Sequence, residues 1–238
     1  MKNNHFQFKQ FTVWQQQCAM KVCTDACLFG AWAAEKVQHL NIGNILDIGT
    51  GTGLLSLMVA QKTHAAIDAV ESDGPACQQA RDNIYRSAWS NRIQVVQADV
   101  KQVAFQKTYD LIISNPPFYE HDLCSPDEPS NAARHSQGLT LHQLMSVSAA
   151  RQGAGGYLAV LLPYQRTGYF QALAAGCHYH LHAQALVRHS PLHPFFRSFL
   201  LLGRQECTDP QTEEIMIRNG DGYSEEFTEL LKDYYLYL

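Results

Sequence analysis

Leu46-Asp47-Ile48-Gly49-Thr50-Gly51-Thr52-Gly53-Leu54-Leu55 decides how this chain reads. A mostly apolar run, Gly43 to Ile48, ends in glycines at alternate positions, and a Leu- and Met-rich run from Leu54 to Gln61 starts at once. The first run is short and bounded by turn residues, which predicts a buried strand; the second predicts a helix. Glycines between them permit positive φ and let the backbone approach a ligand closely. Their spacing is Gly-x-Gly-x-Gly. A dinucleotide fingerprint would place its third glycine at 54, where Leu54 stands, and no Gly-Lys-Ser/Thr follows for a phosphate-binding P-loop.

Strands and helices alternate outward from this loop. Upstream, Phe6, Phe8, Phe11 and Val13 predict a short hairpin, and Thr24-Asp25 cap a helix from Ala26 to about Val37. Downstream, Ala66–Glu71, Ile93–Ala98 and Tyr109–Ser114 read as strands, with a helix opened by Ser72, Asp73 and Pro75 running to about Ser87. Residues 119–139 are polar and read as a loop, after which Thr140 and Gln143 fit a capping box on a helix to about Arg151. Tyr157–Leu162 reads as a strand, Tyr164–Ala175 as a helix, and His178–Arg188 and Phe195–Gly203 as two strands in succession. Ser224 caps a last helix carrying Phe227, Leu230, Leu231 and Tyr234. The alternation calls for an α/β fold: a mostly parallel sheet of seven strands, helices on both faces, and the last two strands as an antiparallel hairpin at one edge. Ile215 to Arg218 is a candidate further strand. No linker interrupts the chain, so 1–238 is expected to be one domain, with 1–40 as an N-terminal segment before a core of 41–238.

Composition excludes several classes. With 46% hydrophobic and 17% charged residues the chain is neither disordered nor fibrous. No apolar run approaches the roughly 18 residues of a membrane helix, and Met1-Lys2-Asn3-Asn4-His5 leads into no signal core, so a soluble cytoplasmic protein is expected. Seven cysteines without a Cys-x-x-Cys argue against a disulfide framework and a zinc ribbon. His178, His180 and His182 alternate on one strand face without a partner acid, a polar face rather than a metal site, and no metal is expected. A net charge of −4 provides no global basic field for nucleic acid, which leaves only a local basic face for such a partner.

Ligands of open α/β sheets sit outside the carboxyl ends of the strands. Three successive strand ends here carry acids: Asp47, Glu71 and Asp99. Asp47 beside Gly49, Gly51 and Gly53 would repel a pyrophosphate but suits a ligand bearing an ammonium and a sulfonium, and S-adenosylmethionine bears both. Glu71 is placed to accept from both ribose hydroxyls, and Asp99 from the adenine amino group.

Asn115-Pro116-Pro117-Phe118 follows the fourth strand directly. An exocyclic amine or amide nitrogen is a poor nucleophile because its lone pair is delocalised. The Asn115 side-chain oxygen and the Pro116 carbonyl can each accept one of its hydrogens, which draws the nitrogen toward a tetrahedral shape. Proline adds no competing N–H, and Phe118 offers a face for a flipped base. The chain lacks Pro-Cys and Thr-Cys, Gly-x-Ser-x-Gly and His-Glu-x-x-His, which disfavours a cysteine nucleophile on a pyrimidine and the common hydrolases.

These residues resemble the class I S-adenosylmethionine-dependent methyltransferases with an Asn-Pro-Pro-aromatic motif, and most closely the bacterial tRNA1(Val) (adenine-37-N6) methyltransferase family. The resemblance spans the chain: Phe8-Lys9-Gln10-Phe11, Ala19-Met20-Lys21-Val22-Cys23-Thr24-Asp25, the glycine loop, Asp68-Ala69-Val70-Glu71, Asp110 to Pro117, and Tyr223-Ser224-Glu225 with Tyr235-Leu236. It implies a Rossmann-like fold, S-adenosylmethionine as cofactor, and methylation of N6 of the adenine beside the anticodon of a valine tRNA. It also implies that Lys21, Thr24 and Asp25 close over the methionine end of the cofactor. Cys23 stands where the family has a glycine before Thr-Asp. Arg134, His135, Arg188 and Arg197 are candidate RNA contacts, the last two beside His189, His193, Phe195 and Phe196. Two other readings remain: methylation of a protein glutamine amide, and a non-catalytic RNA- or cofactor-binding module.

Overall fold

The computed structural model describes residues 4–18, 20–117 and 138–238; Ala19, Phe118, Arg134, His135 and most of the predicted 119–139 loop lie outside them. Eight strands form the central sheet: β3 (Asn44–Ile48), β4 (Ala66–Glu71), β5 (Ile93–Gln97), β6 (Tyr109–Ser114), β7 (Gln152–Pro163), β8 (His180–Arg188), β9 (Phe195–Gly203) and β10 (Gln211–Met216). Their spatial order is β10-β8-β9-β7-β6-β3-β4-β5. Only β9 runs against its neighbours β7 and β8. The chain starts at β3 in the middle, moves outward through β4 and β5, then crosses back to β6. The direction of winding therefore reverses between β3 and β6, and a crevice opens at the strand ends there.

Period-two alternation sorts the core into two layers. Ile45, Leu111, Ile113, Ala159 and Leu161 face one side, packed by α1 (Thr24–Val37), α2 (Leu54–Lys62) and α6 (Glu225–Leu231). Leu46, Ile112, Leu158, Val160 and Leu162 face the other, packed by α4 (Leu141–Arg151) and α5 (Thr167–Gly176). α3 (Gly74–Tyr85) adds Ile84 to the first layer. Strands buried on both faces must be apolar at successive positions, as Leu111-Ile112-Ile113 and Leu158 to Leu162 are.

The sheet departs from the sequence expectation at one edge. It has eight strands, not seven, and the antiparallel hairpin is not at the edge: β9 inserts between β7 and β8, and β10 lies outside β8, parallel to it. The residues account for this. Phe199 to Leu202 are apolar at every position and fully or nearly buried, which suits an interior strand. β10, with Thr212, Glu213 and Glu214, is polar enough to face water. Glu213 also binds α1, accepting from Trp32 Nε1 at 2.6 Å and pairing with Lys36 at 2.8 Å. Arg218, read with that strand, instead pairs with Tyr223 in a small hairpin, β11 (Arg218–Asn219) and β12 (Gly222–Tyr223).

Two further boundaries differ. β7 begins at Gln152, five residues before the expected Tyr157, and runs through Gly153, Gly155 and Gly156. A Cβ on Gly156 would sit 2.8 Å from the Tyr109 carbonyl oxygen, so close strand packing explains that glycine. α1 starts at Thr24 with Cys23 as N-cap rather than Thr24-Asp25. The N-terminal hairpin forms as expected, β1 (His5–Gln7) against β2 (Thr12–Trp14), and Phe8 bridges to Tyr235 near the other end of the chain.

Candidate active site

The glycine loop joins β3 to α2 with Gly49, Gly51 and Gly53 at φ 73°, 57° and 82°. It is tethered to the neighbouring strand: the Gly49 and Thr50 N–H groups donate to the Val70 carbonyl at 2.9 and 3.1 Å. Glu71, at the end of β4, accepts from Gly51 N–H and Asp73 N–H, both at 2.9 Å, so one carboxylate holds the loop and the start of α3 together. A carboxylate has about four acceptor sites, and capacity for a ligand's hydroxyls remains.

Asp47 lies beneath the loop, fully buried. Its Oδ2 accepts from Thr50 Oγ1 at 2.6 Å, Ser56 Oγ at 2.7 Å and Ser56 N at 3.2 Å, while Oδ1 has no partner among the described residues. Burial pushes its carboxyl up to about 6 even though these hydrogen bonds favour the anion. Near neutral pH the site thus holds a buried negative charge with one unused oxygen.

A cavity of about 520 Å³ opens at the carboxyl ends of β3, β4 and β5, a size that takes a nucleoside-containing ligand. Ile48, Gly49, Val70, Asp73, Asp99 and Leu139 are among its walls. Asp99 accepts from Lys101 N–H at 3.0 Å and pairs with Lys101 Nζ at 3.3 Å. Asp47, Glu71, Gly51 and Gly53 shape the loop from behind instead of lining the space.

Asn115 emerges from β6 beside this cavity's floor, because Ser114 Oγ donates to the Ile48 carbonyl at 2.8 Å and clasps the ends of β6 and β3. The Asn115 Oδ1 is buried and has no hydrogen-bond partner among the described residues. Leaving a buried acceptor unpaired costs about 1–3 kcal/mol, so a native fold that retains one is holding it for something else. Pro116 is buried next to it and Pro117 is exposed.

The N-terminal segment runs along α3 to reach the same acids. Asn83, buried on α3, accepts from Trp14 N–H at 2.9 Å and donates to the carbonyls of Trp14 (2.8 Å) and Thr52 (2.9 Å). Gln79, one turn earlier, accepts from the Gln16 and Gln17 N–H groups at 3.2 and 3.3 Å. Burial pushes the Cys18 thiol up to about 11, and the Glu71 and Asp73 carboxylates add to it, which places this segment beside the cavity rim. Cys23 sits at φ −128°, extended backbone open to any residue, so the fold does not require a glycine there.

The methyltransferase small domain family matches residues 32–160 of the chain. The tRNA1(Val) (adenine(37)-N6)-methyltransferase of Parabacteroides distasonis is 40% identical over 99% of both chains. The chain belongs to the tRNA1(Val) (adenine(37)-N6)-methyltransferase family. The family member from Photorhabdus laumondii is 38% identical over the whole of this chain and 97% of its own. Among solved structures, a predicted O-methyltransferase from Agrobacterium tumefaciens superposes with a TM-score of 0.66 at 18% identity, over 88% of this chain and 96% of that one. A putative RNA methyltransferase from Pyrococcus horikoshii gives 0.55 at 16% identity, over 83% and 91%. These last two show the shared fold.

Of the residues named from the sequence, Gly49 and Asp99 line the cavity, Glu71 and Asp47 hold the loop beside it, and Asn115 follows Ser114, which is bonded to Ile48 of the cavity wall. Gly53 serves packing: a Cβ there would meet Ile84 Cδ1 at 3.4 Å. Lys21 and Thr24 are exposed at the start of α1. Asp25 accepts from Arg197 Nε at 2.7 Å, joining two residues the sequence had assigned to cofactor and RNA separately. Arg188 lies farther along the edge, paired with Glu214 at 2.7 Å. His178 sits in the turn before β8 at φ 59°, off the strand that carries His180 and His182. Sequence reasoning passed over Asn83 and Gln79, whose signal was two amides four apart on one helix face, and over Asp73, read only as a cap.

Proposed function

We propose that this chain transfers a methyl group from S-adenosylmethionine to the exocyclic N6 of an adenine in tRNA, adenine 37 of tRNA1(Val). The buried Oδ1 of Asn115 at the end of β6, without a hydrogen-bond partner among the described residues, carries the chemical part of this reading. Relatives of that name, matching over essentially the full length, support the substrate. S-adenosylmethionine supplies an electrophilic methyl carbon on a positively charged sulfur.

The residues present fit that cofactor. Gly49 and Asp99 line the cavity, Glu71 has acceptor capacity for ribose hydroxyls, and the buried anion of Asp47 suits a ligand with two positive centres. Gly51 and Gly53 set the loop's course, and Lys21, Thr24 and Asp25, in the N-terminal segment 1–40, close over the methionine end. Asn115 Oδ1 and the Pro116 carbonyl accept the two hydrogens of N6. The nitrogen loses conjugation with the ring, and its lone pair turns toward the methyl donor. Pro117 stiffens the turn, and Phe118, outside the described residues, stacks on the flipped base together with contacts from Arg134, His135, Arg188 and Arg197. The rate gain comes from positioning and fixed dipoles. Among the described residues no helix is long and apolar enough to cross a membrane.

The test is nucleoside mass spectrometry of an unmodified tRNA1(Val) transcript incubated with the protein and S-adenosylmethionine. One N6-methyladenosine at position 37 is expected. A methylated protein glutamine, or no methyl transfer to RNA, would sink the reading.

A further inference from the structure

The rim of the sheet beyond Asn115 carries a row of rings, of which Phe196 packs partly against the core while Tyr164 and Tyr169 stay largely outside it. β6 and β7 pair Ser114 with Val160, and β7 ends at Pro163, opposite Arg197 of β9. Tyr164 follows, so it lies roughly 10 Å from Asn115, one strand across and three residues farther out. Its ring packs 5.5 Å from Phe195, and the Arg188 guanidinium lies 5.3 Å over Phe195. On the neighbouring position His189 stacks on Phe196 at 4.2 Å with planes 5° apart, and Arg197 covers the same Phe196 at 5.2 Å. Arg166 stands 5.7 Å over Tyr169.

The tyrosines of this row reach water, and Phe195 and Phe196 are half-buried. Tyr164 is 40% exposed, Tyr169 50%, and Leu192 at the tip of the β8–β9 turn 95%. The turn is nonetheless held in shape: His193 N–H donates to the Ser190 carbonyl at 3.0 Å, and Ser190 Oγ bonds His193 Nδ1 at 2.7 Å. A stiff turn that presents a bare leucine next to half-exposed, guanidinium-backed rings leaves apolar surface that the core does not cover. Exposed apolar groups gathered on the edge that bears the reaction site mark a docking surface.

We propose that this edge, from Tyr164 and Tyr169 to Phe195 and the His189–Phe196 stack, is a stacking platform for unpaired bases of the RNA loop that presents the target adenine. It rests on the function proposed above. RNA loops are recognised by bases splayed onto aromatic and arginine planes, and stacking tolerates any base. Charge points the same way. Arg188 is paired with Glu214 and Arg197 with Asp25, and the chain is net −4, so the surface is poorly suited to gripping many phosphates.

Binding of a fluorescent anticodon stem-loop, followed by anisotropy, tests this with the full-length protein. Tyr164→Ala and Phe195→Ala should each raise Kd about tenfold, and Tyr164→Leu, which keeps bulk but not the ring plane, nearly as much. Tyr169→Ala, at a ring of the platform that is 50% exposed and so least needed by the fold, should raise Kd as well. Cofactor affinity by calorimetry should stay at the wild-type value in all four. Raising KCl from 50 to 200 mM should weaken wild-type binding by about tenfold or less, against roughly 10³-fold or more for a site built on six or more phosphates. Unchanged Kd in the ring variants, or a steep salt dependence, overturns the platform even if the wild type methylates adenine 37. A raised Kd in the variants of a protein that fails to methylate tRNA sustains the platform and overturns the proposed function instead.

Discussion

Asn115 and Asp47 hold the same kind of unfinished business, a buried oxygen with no hydrogen-bond partner among the described residues. At Asn115 the oxygen belongs to the reaction. Asn115→Ala should lower kcat on the order of 10²-fold while cofactor affinity by calorimetry changes little, by analogy with the loss of one fixed transition-state partner. At Asp47 the oxygen belongs to a charge that burial resists. Burial holds its carboxyl up at about 6 when folded, against an ordinary value of 3.8. Between those two values the folded protein holds the proton and the unfolded chain does not, so stability falls as pH rises from 3.8 to about 6 and stays level above. Asp47→Asn should remove that slope and stabilise the ligand-free protein at pH 8 by on the order of 2 kcal/mol, read as a thermal midpoint across pH. The same variant should bind S-adenosylmethionine about tenfold more weakly, because the buried anion that complements a cation is gone. A protein whose Asp47→Asn variant keeps the wild-type pH slope does not hold this carboxyl as described.

At the scale of elements, α3 is the part that joins cofactor loop to N-terminal segment. Asn83 makes three hydrogen bonds, to both backbone groups of Trp14 and to Thr52 in the glycine loop. Asn83→Ala strands three backbone groups, the Thr52 carbonyl buried and the two of Trp14 half-buried, a loss of up to about 1–3 kcal/mol for each left unsatisfied. Amide hydrogen exchange at Trp14, Gln16 and Gln17 should speed up, and KM for S-adenosylmethionine should rise more than kcat falls; Gln79→Ala, with two longer contacts, should do the same more weakly. Equal exchange in variant and wild type would mean the segment is held elsewhere. Most elements were legible from apolar period and caps, as with Thr140 and Gln143, whose capping box forms as expected. The start of β7 was not, because Gly153, Gly155 and Gly156 carry no apolar period, and only the neighbouring strand shows why Gly156 has no side chain.

For the whole molecule, the two ends of the chain act as one clamp. Lys9 N–H donates to the Tyr234 carbonyl at 2.8 Å, Phe8 bridges to Tyr235, and the buried Tyr234 hydroxyl donates to the Met58 carbonyl of α2 at 3.0 Å. Removing residues 232–238 should therefore lower the thermal midpoint by about 10 °C, the loss of one large buried aromatic and its neighbours. It should also weaken cofactor binding, since the hairpin that leads into Trp14 loses its backing. A truncated protein with wild-type midpoint and affinity would show that the ends are not coupled.

The chain's own order of residues determined the strand–loop–helix unit, the acids at three strand ends and the Asn-Pro-Pro turn, because each depends on neighbours a few positions apart and on the period of apolar side chains. Which strand became the edge, and that Asp25 would meet Arg197 across 172 positions, was decided only in three dimensions. Strand order follows from which faces can be covered by helices, and ion pairs of that separation from where two elements come to rest. Those are properties of packing, and no local pattern carries them.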